Sequence, residues 1–165
     1  MLLVGQTAPD FTLPDAEMND FVLSSLRDKN HVVLFFYPKD GTPYCTQEAI
    51  EFSDHESEFL RAGAVVAGIS RDDCLAHAEF SDKHGISVRL LSDIDGAVGH
   101  KYGVYHYREQ DGHRRLCITR STFVIDRHGI LRHALYDVPP KGHASDVFKF
   151  VTALNSSCKS PKTRS

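Results

Sequence analysis

Pro38-Lys39-Asp40-Gly41-Thr42-Pro43-Tyr44-Cys45 follows the apolar run Val32-Val33-Leu34-Phe35-Phe36-Tyr37 and precedes a segment of helical periodicity. The run has no polar alternation, so it predicts a central strand buried on both faces. Pro38 ends it, because proline has no N–H to give to a ladder. Lys39-Asp40-Gly41 is loop chemistry. Thr42 before Pro43 is a helix start, a hydroxyl N-cap and then proline at the first helical position. Cys45 falls at the third helical position. There the positive end of the helix dipole and the unpaired N–H groups favour thiolate over thiol, and the thiolate is the nucleophilic form. A free cysteine is otherwise most often inert packing. The strand-turn-helix setting makes Cys45 the candidate nucleophile.

Outward from this stretch, the helix after Pro43 places Cys45, Ala49, Phe52 and Phe59 on one core-facing side. Glu48, Glu51, Asp54, Glu56 and Glu58 are expected on a solvated side, and the helix should stop near Arg61-Ala62-Gly63. Residues 64–70 read as a second buried strand. Asp72 or Asp73 can cap a helix from Cys74 to about His84, with Gly85 as its stop. A short strand over 88–91, a turn at Asp93-Ile94-Asp95-Gly96 and a short helix through Tyr102 follow. Residues 109–114 are polar, a loop or hairpin tip. Residues 116–126 and 129–136 read as a β-hairpin, with Cys117 and Arg120 in its first strand. A final helix covers 144–154, with Val147, Phe148, Val151 and Leu154 inward. Before the central run, residues 8–14 and 21–23 are two short strands around a polar turn, and 24–28 make one helical turn.

These elements give an α/β fold, a mixed central sheet flanked by helices with an N-terminal β-hairpin. Long crossovers after Tyr37 and Ser70 make those strands parallel. Cys45 then lies beyond the carboxyl end of a central strand, where open α/β sheets place their sites. Residues 3–154 form one domain and 155–165, rich in Ser and Lys, a flexible tail.

The chain has 165 residues, 41% hydrophobic and 25% charged, the balance of one globular domain. A net charge of −3 gives no reason to expect nucleic acid. Four cysteines, at 45, 74, 117 and 158, are too few and too spread for a disulfide scaffold. The ten histidines are expected mostly on the surface. With no Cys-x-x-Cys and no His pair near a cysteine pair, no metal site is expected. The first residues lack a basic n-region and a long apolar core, and no run approaches a membrane span. The default location is a reducing cytoplasm, with no membrane partner.

Pro38-x-x-x-Thr42-x-x-Cys45 resembles the active-site signature of the peroxiredoxins, of the AhpC/TSA superfamily. Thr42-Pro43-x-Cys45-Thr46-x-Glu48-Ala49 is similar to the PrxQ, or bacterioferritin-comigratory-protein, subfamily. Arg120-Ser121-Thr122-Phe123-Val124-Ile125-Asp126 resembles the family's downstream arginine strand, and Ala8-Pro9-Asp10-Phe11 its start. The resemblance implies a thioredoxin-like fold and a thiol-dependent peroxidase that needs no metal, haem or flavin. Its substrates would be hydrogen peroxide and organic hydroperoxides. Its reductant would be thioredoxin or another small thiol, and the chain would act as a monomer or homodimer. Cys45 would be the peroxidatic cysteine that becomes a sulfenic acid. Thr42 and the Cys45 N–H would hold the peroxide oxygens, Arg120 the thiolate and the polarised peroxide, and Pro38 would shield the sulfur from water.

Subfamily members often carry a resolving cysteine five residues after the nucleophile or in the next helix. Here those positions hold Ile50 and Ser81. Recycling is therefore one-cysteine or atypical two-cysteine, with Cys74 the nearest alternative resolver. Two other readings use the same cysteine. A thioredoxin-type thiol–disulfide oxidoreductase is disfavoured by the absence of Cys-x-x-Cys. A redox sensor would use sulfenylated Cys45 as a signal without steady turnover.

Overall fold

The computed structural model describes residues 2–139 and 141–163, with side chains described as far as Asn155. Its centre is a five-stranded sheet in the order β5-β4-β3-β8-β9. The strands are β3 (His31–Phe36), β4 (Ala64–Ser70), β5 (Arg89–Ser92), β8 (Ser121–Ile125) and β9 (Leu131–Tyr136). β3 pairs parallel with β4, and β4 with β5, while β8 runs antiparallel to both β3 and β9. The mixed sheet is the expected one, and the crossovers after β3 and β4 carry the helices α1 (Pro43–Asp54), α2 (Glu56–Arg61) and α3 (Cys74–His84). A separate hairpin at the N-terminus, β1 (Thr12–Pro14) with β2 (Asp20–Val22), leads into a single 3-10 turn at Leu23–Leu26.

Every residue of β3 is buried, which is why its sequence shows no alternation. Val33, Phe35 and Tyr37 point to one core with Phe52, Phe59 and Val147, and Val32, Leu34 and Phe36 to the other with Phe11, Phe21 and Tyr102. Phe35 stacks on Phe52 with centroids 4.5 Å apart, tying α1 to the strand that precedes it. Gly68 faces Phe35 across the β3–β4 ladder, and a Cβ there would lie 2.6 Å from the Phe35 ring. Burial of one such phenylalanine is worth about 2–3 kcal/mol.

Several elements differ from the sequence reading. The helix expected from Pro43 to Arg61 breaks at His55, whose ring Nδ1 lies 2.9 Å from the Glu51 carbonyl and competes for it. The hairpin expected over 116–136 belongs to two sheets. β6 (Tyr105–Gln110) and β7 (His113–Ile118) form their own hairpin, and only β8 and β9 make the second. Cys117 therefore lies in β7, and Arg120 lies in the connection before β8, not in one strand with Cys117. The last helix, α5 (His143–Thr163), runs past the expected stop at 154, since no glycine or proline interrupts 143–160. The Cys158 side chain lies outside the described residues, as do residues 164 and 165 of the expected tail. The short helix α4 (Ala97–Tyr102) stands as expected. Most histidines are exposed or partly exposed, as expected; His31, His77 and His143 are buried, and each ring reaches a polar partner inside the fold.

Candidate active site

β3 ends at Phe36, and Tyr37 continues the ladder by donating its N–H to Ile69 O at 3.1 Å. Pro38 then turns the chain away. The segment from Pro38 to Thr42 is short, and Pro43 opens α1 as foreseen. Thr42 takes the N-cap position with extended backbone (φ −75°, ψ 150°). Its hydroxyl does not cap: it donates to Lys39 O at 3.2 Å. That corrects the hydroxyl-cap expectation.

Cys45 sits in the first turn of α1, 1% exposed. Its own N–H belongs to the set that an α-helix leaves without an internal partner. Arg120 reaches it from the connection before β8, the strand beside β3, with Nη2 3.3 Å from Cys45 Sγ. The topology explains the meeting. Phe36 at the end of β3 is paired with Ser121 at the start of β8. The residue before β8 thus stands beside the start of α1, although the two residues are 75 positions apart in sequence.

Glu48 completes the group. It was expected on the solvated side of α1, and it is fully buried instead. Arg120 Nη1 donates to Glu48 Oε1 at 2.9 Å, so one guanidinium bridges the thiol and the carboxylate. The signal for this was spacing: positions three apart on a helix share a face, and Glu48 is three residues after Cys45. Burial pushes the Glu48 carboxyl up to about 7, against the pull of Arg120. Its second oxygen, Oε2, is buried with no protein partner. Burial disfavours the Arg120 charge, but the charges of Cys45 and Glu48 outweigh it and hold the guanidinium above its ordinary value. Behind this group, His143 lies 2.7 Å from Thr122 Oγ1, its ring pushed down by burial and by the nearby Arg120.

Pro38 and Lys39 form one wall of a cleft of about 660 Å³, which Asp72, Ile94, Tyr105 and Cys117 help to line. The structure thus brings Cys45 and Arg120 into contact and sets Thr42 at the head of the same helix, with Pro38 on the adjoining cleft wall. Among the described residues no disulfide links Cys45 to a second thiol. Cys45, Cys74 and Cys117 are all free. Cys74 opens α3, half-buried, and Cys117 is half-buried in β7. Ile50 packs partly against the core, and Ser81 lies along α3.

A second polar group adjoins the loop. Asp40, Asp72 and His77 bring a carboxylate oxygen each and a ring nitrogen within 4.8 Å of one another. Protein partners already engage these atoms: Asp40 bonds to His77, and Asp72 to the Asp40 N–H and the Ser70 hydroxyl.

The AhpC/TSA family matches residues 4–134 of this chain. A Helicobacter pylori chain named as a peroxiredoxin of the bcp type is 44% identical over 148 residues, covering 90% of this chain and 97% of its own length. The Bacillus subtilis peroxiredoxin Bcp is 35% identical over 146 residues, covering 88% and 92%. Among solved structures, the Xanthomonas campestris bacterioferritin comigratory protein, described in terms of its alkyl peroxide reduction, superposes with a TM-score of 0.83 at 34% identity, covering 87% of this chain and 90% of its own. With a thioredoxin-like sheet beneath a buried thiol–arginine pair, the chain belongs to the AhpC/TSA family, among the peroxiredoxins of the Bcp/PrxQ type, which are thiol-dependent peroxidases.

Proposed function

We propose that Cys45 is the thiol that reduces the peroxide, with Arg120, Thr42 and Pro38 forming its pocket. The observation that carries this reading is the 3.3 Å approach of Arg120 Nη2 to Cys45 Sγ. The thiolate attacks one peroxide oxygen, the O–O bond breaks, and the sulfur keeps the oxygen as a sulfenic acid. The departing oxygen leaves as an alcohol or water after taking a proton. A guanidinium stays protonated and offers several donors in a rigid fork. It can therefore face the thiolate and the departing oxygen together, while Glu48 fixes its orientation. Fixed donors aimed at developing charge supply most of such an acceleration. Low thiol basicity alone would not, because nucleophilicity falls with it. The Cys45 N–H and the Thr42 hydroxyl, once the latter leaves Lys39 O, hold the peroxide oxygens. Pro38 limits access of water from the cleft.

The substrates are hydrogen peroxide and organic hydroperoxides, in keeping with the alkyl peroxide reduction described for the Xanthomonas relative. The reductant is thioredoxin or another small thiol. The enzyme works as a monomer or homodimer in a reducing cytoplasm, on a domain spanning residues 3–154. No helix among the described residues is long and apolar enough to cross a membrane.

Replacing Cys45→Ser tests the assignment. Peroxide consumption and sulfenic-acid labelling should both vanish, though Cys74, Cys117 and Cys158 remain. A variant that still consumed peroxide at the wild-type rate would show that another thiol carries the reaction.

A further inference from the structure

Cys45 is 1% exposed beneath the first turn of α1. Two peroxide oxygens are small enough to enter such a site. A thiol carried on a protein or a carbon chain must reach the sulfur itself, and the turn has to open first. What holds it shut is therefore part of the reaction.

Between Tyr37 and Thr42 the chain has few anchors. Pro38, Lys39 and Gly41 are exposed, and the Thr42 hydroxyl bonds only within the loop. Gly41 sits at φ +86° with nothing within 4 Å of where a Cβ would stand, and glycine tolerates other backbone angles at little steric cost. Asp40 differs: its side chain is only 7% exposed and is held by two residues, and its backbone N–H by a third. The Tyr37 hydroxyl, at the end of β3, donates to Asp40 Oδ1 at 2.7 Å. His77 Nδ1, in α3, lies 2.6 Å from Asp40 Oδ2. The Asp40 N–H donates to Asp72 Oδ2, before α3, at 2.8 Å.

The proton inventory makes this a matched set. His77 Nε2 lies 3.0 Å from Leu91 O, which can only accept, so Nε2 carries a hydrogen. One further proton must then lie between Nδ1 and Asp40, and the pair is neutral as a whole. Burial and the Asp40 charge push the Tyr37 phenol well above its ordinary range, so it remains a donor. Lifting Asp40 out of this site would leave Tyr37 and His77 buried without their partner.

We propose that Tyr37, Asp40 and His77 form a latch that holds the Cys45 turn closed, and that its strength sets how often oxidised Cys45 becomes accessible to its reductant. These are positioning residues, and the proposal rests on Cys45 being the reacting thiol. In the closed turn the thiolate meets peroxide beside Arg120 and gives the sulfenic acid and an alcohol or water. In the open turn an outside thiol attacks the sulfenic sulfur, forming a mixed disulfide and releasing water. A second thiol then displaces Cys45 as a thiol and leaves with the first as a disulfide. A weaker latch raises the small open population while the closed form still dominates. The reductant step speeds up, and the peroxide step does not change.

The test measures the two steps separately on the full chain, for wild type, Tyr37→Phe and Asp40→Asn. Because the chain has no tryptophan, quenched-flow mass spectrometry follows Cys45. Hydrogen peroxide is the oxidant and dithiothreitol the reductant. Tyr37→Phe removes one hydroxyl and strands a buried acceptor. It should speed reduction of sulfenylated Cys45 about ten-fold, the scale of one orphaned buried group, with an unchanged peroxide step. Amide exchange at residues 44–47 should quicken in parallel. A purely structural role would slow the peroxide step and lower the melting temperature without accelerating reduction. If reduction is unchanged or slower in the variants, the latch is overturned, and Tyr37→Phe alone decides should Asp40→Asn not fold. If wild-type Cys45 gains no oxygen at all, the assignment of Cys45 falls as well. Oxygen on Cys45 with an unmoved reductant step removes the latch alone.

Discussion

Arg120 Nη2 stands 3.3 Å from Cys45 Sγ, and the other terminal nitrogen of the same guanidinium stands 2.9 Å from Glu48 Oε1. One planar group therefore fixes a thiol and a buried carboxylate relative to each other. Neither neighbour can be changed without effect on the other, because both use the same fork.

Arg120→Lys keeps a positive charge opposite Glu48 and loses the fork. The peroxide step should slow about ten-fold or more, the scale of one lost electrostatic donor. The melting temperature should move little, since Glu48 keeps a cationic partner. Quenched-flow rates with hydrogen peroxide, read beside thermal melts, check both halves. A folded variant at the wild-type rate would remove Arg120 from the chemistry.

Glu48 makes stability depend on pH. Its carboxyl rises from 4.5 to about 7 in the fold, mainly through burial. Between those values the folded protein holds a proton that the unfolded chain has released. The contribution is fully present below about 4.5 and is lost as pH rises through about 7. The loss should be on the order of 3 kcal/mol. Urea titrations from pH 4.5 to 8 should show this downward trend, and Glu48→Gln should flatten it. The same slope in both proteins would assign it to other groups.

Recycling should follow a one-cysteine course. Among the described residues no disulfide reaches Cys45, and both familiar resolving positions hold other residues, Ile50 and Ser81. One equivalent of peroxide should add one oxygen to Cys45 without an internal crosslink. Excess peroxide should carry it on to sulfinic acid. Peptide mass spectrometry distinguishes this from a Cys45–Cys74 disulfide. That linked peptide, with thioredoxin-driven turnover lost in Cys74→Ser, would overturn the one-cysteine course.

Gly68→Ala tests the packing beneath the site. The added methyl would meet the Phe35 ring at 2.6 Å, and Phe35 in turn stacks on Phe52 of α1. Overpacking of this kind costs about 1–3 kcal/mol. The melting temperature should fall by on the order of 5 °C. An unchanged melting curve would mean that the Phe35 ring has room to shift.

The chain by itself determined the central strand, the turn, the start of α1, β4, and the helix from Cys74 to His84 with Gly85 as its stop. Each is written locally: an uninterrupted apolar run, proline after threonine, aspartate before a helix and glycine after one. Cys45 as candidate nucleophile was legible for the same reason. Glu48 was not, although its spacing from Cys45 was there to read, because a glutamate scores as solvated until a buried partner is known. That partner is Arg120, distant in sequence and adjacent only because β8 lies antiparallel to β3 with Ser121 opposite Phe36. The split of residues 116–126 between two sheets was hidden likewise, since both halves have strand character and only tertiary pairing chooses their neighbours. Asp40 read as loop chemistry and His77 as one histidine among ten. Their bond joins a loop to a helix 37 positions away, a relation that strand order creates and local pattern cannot encode.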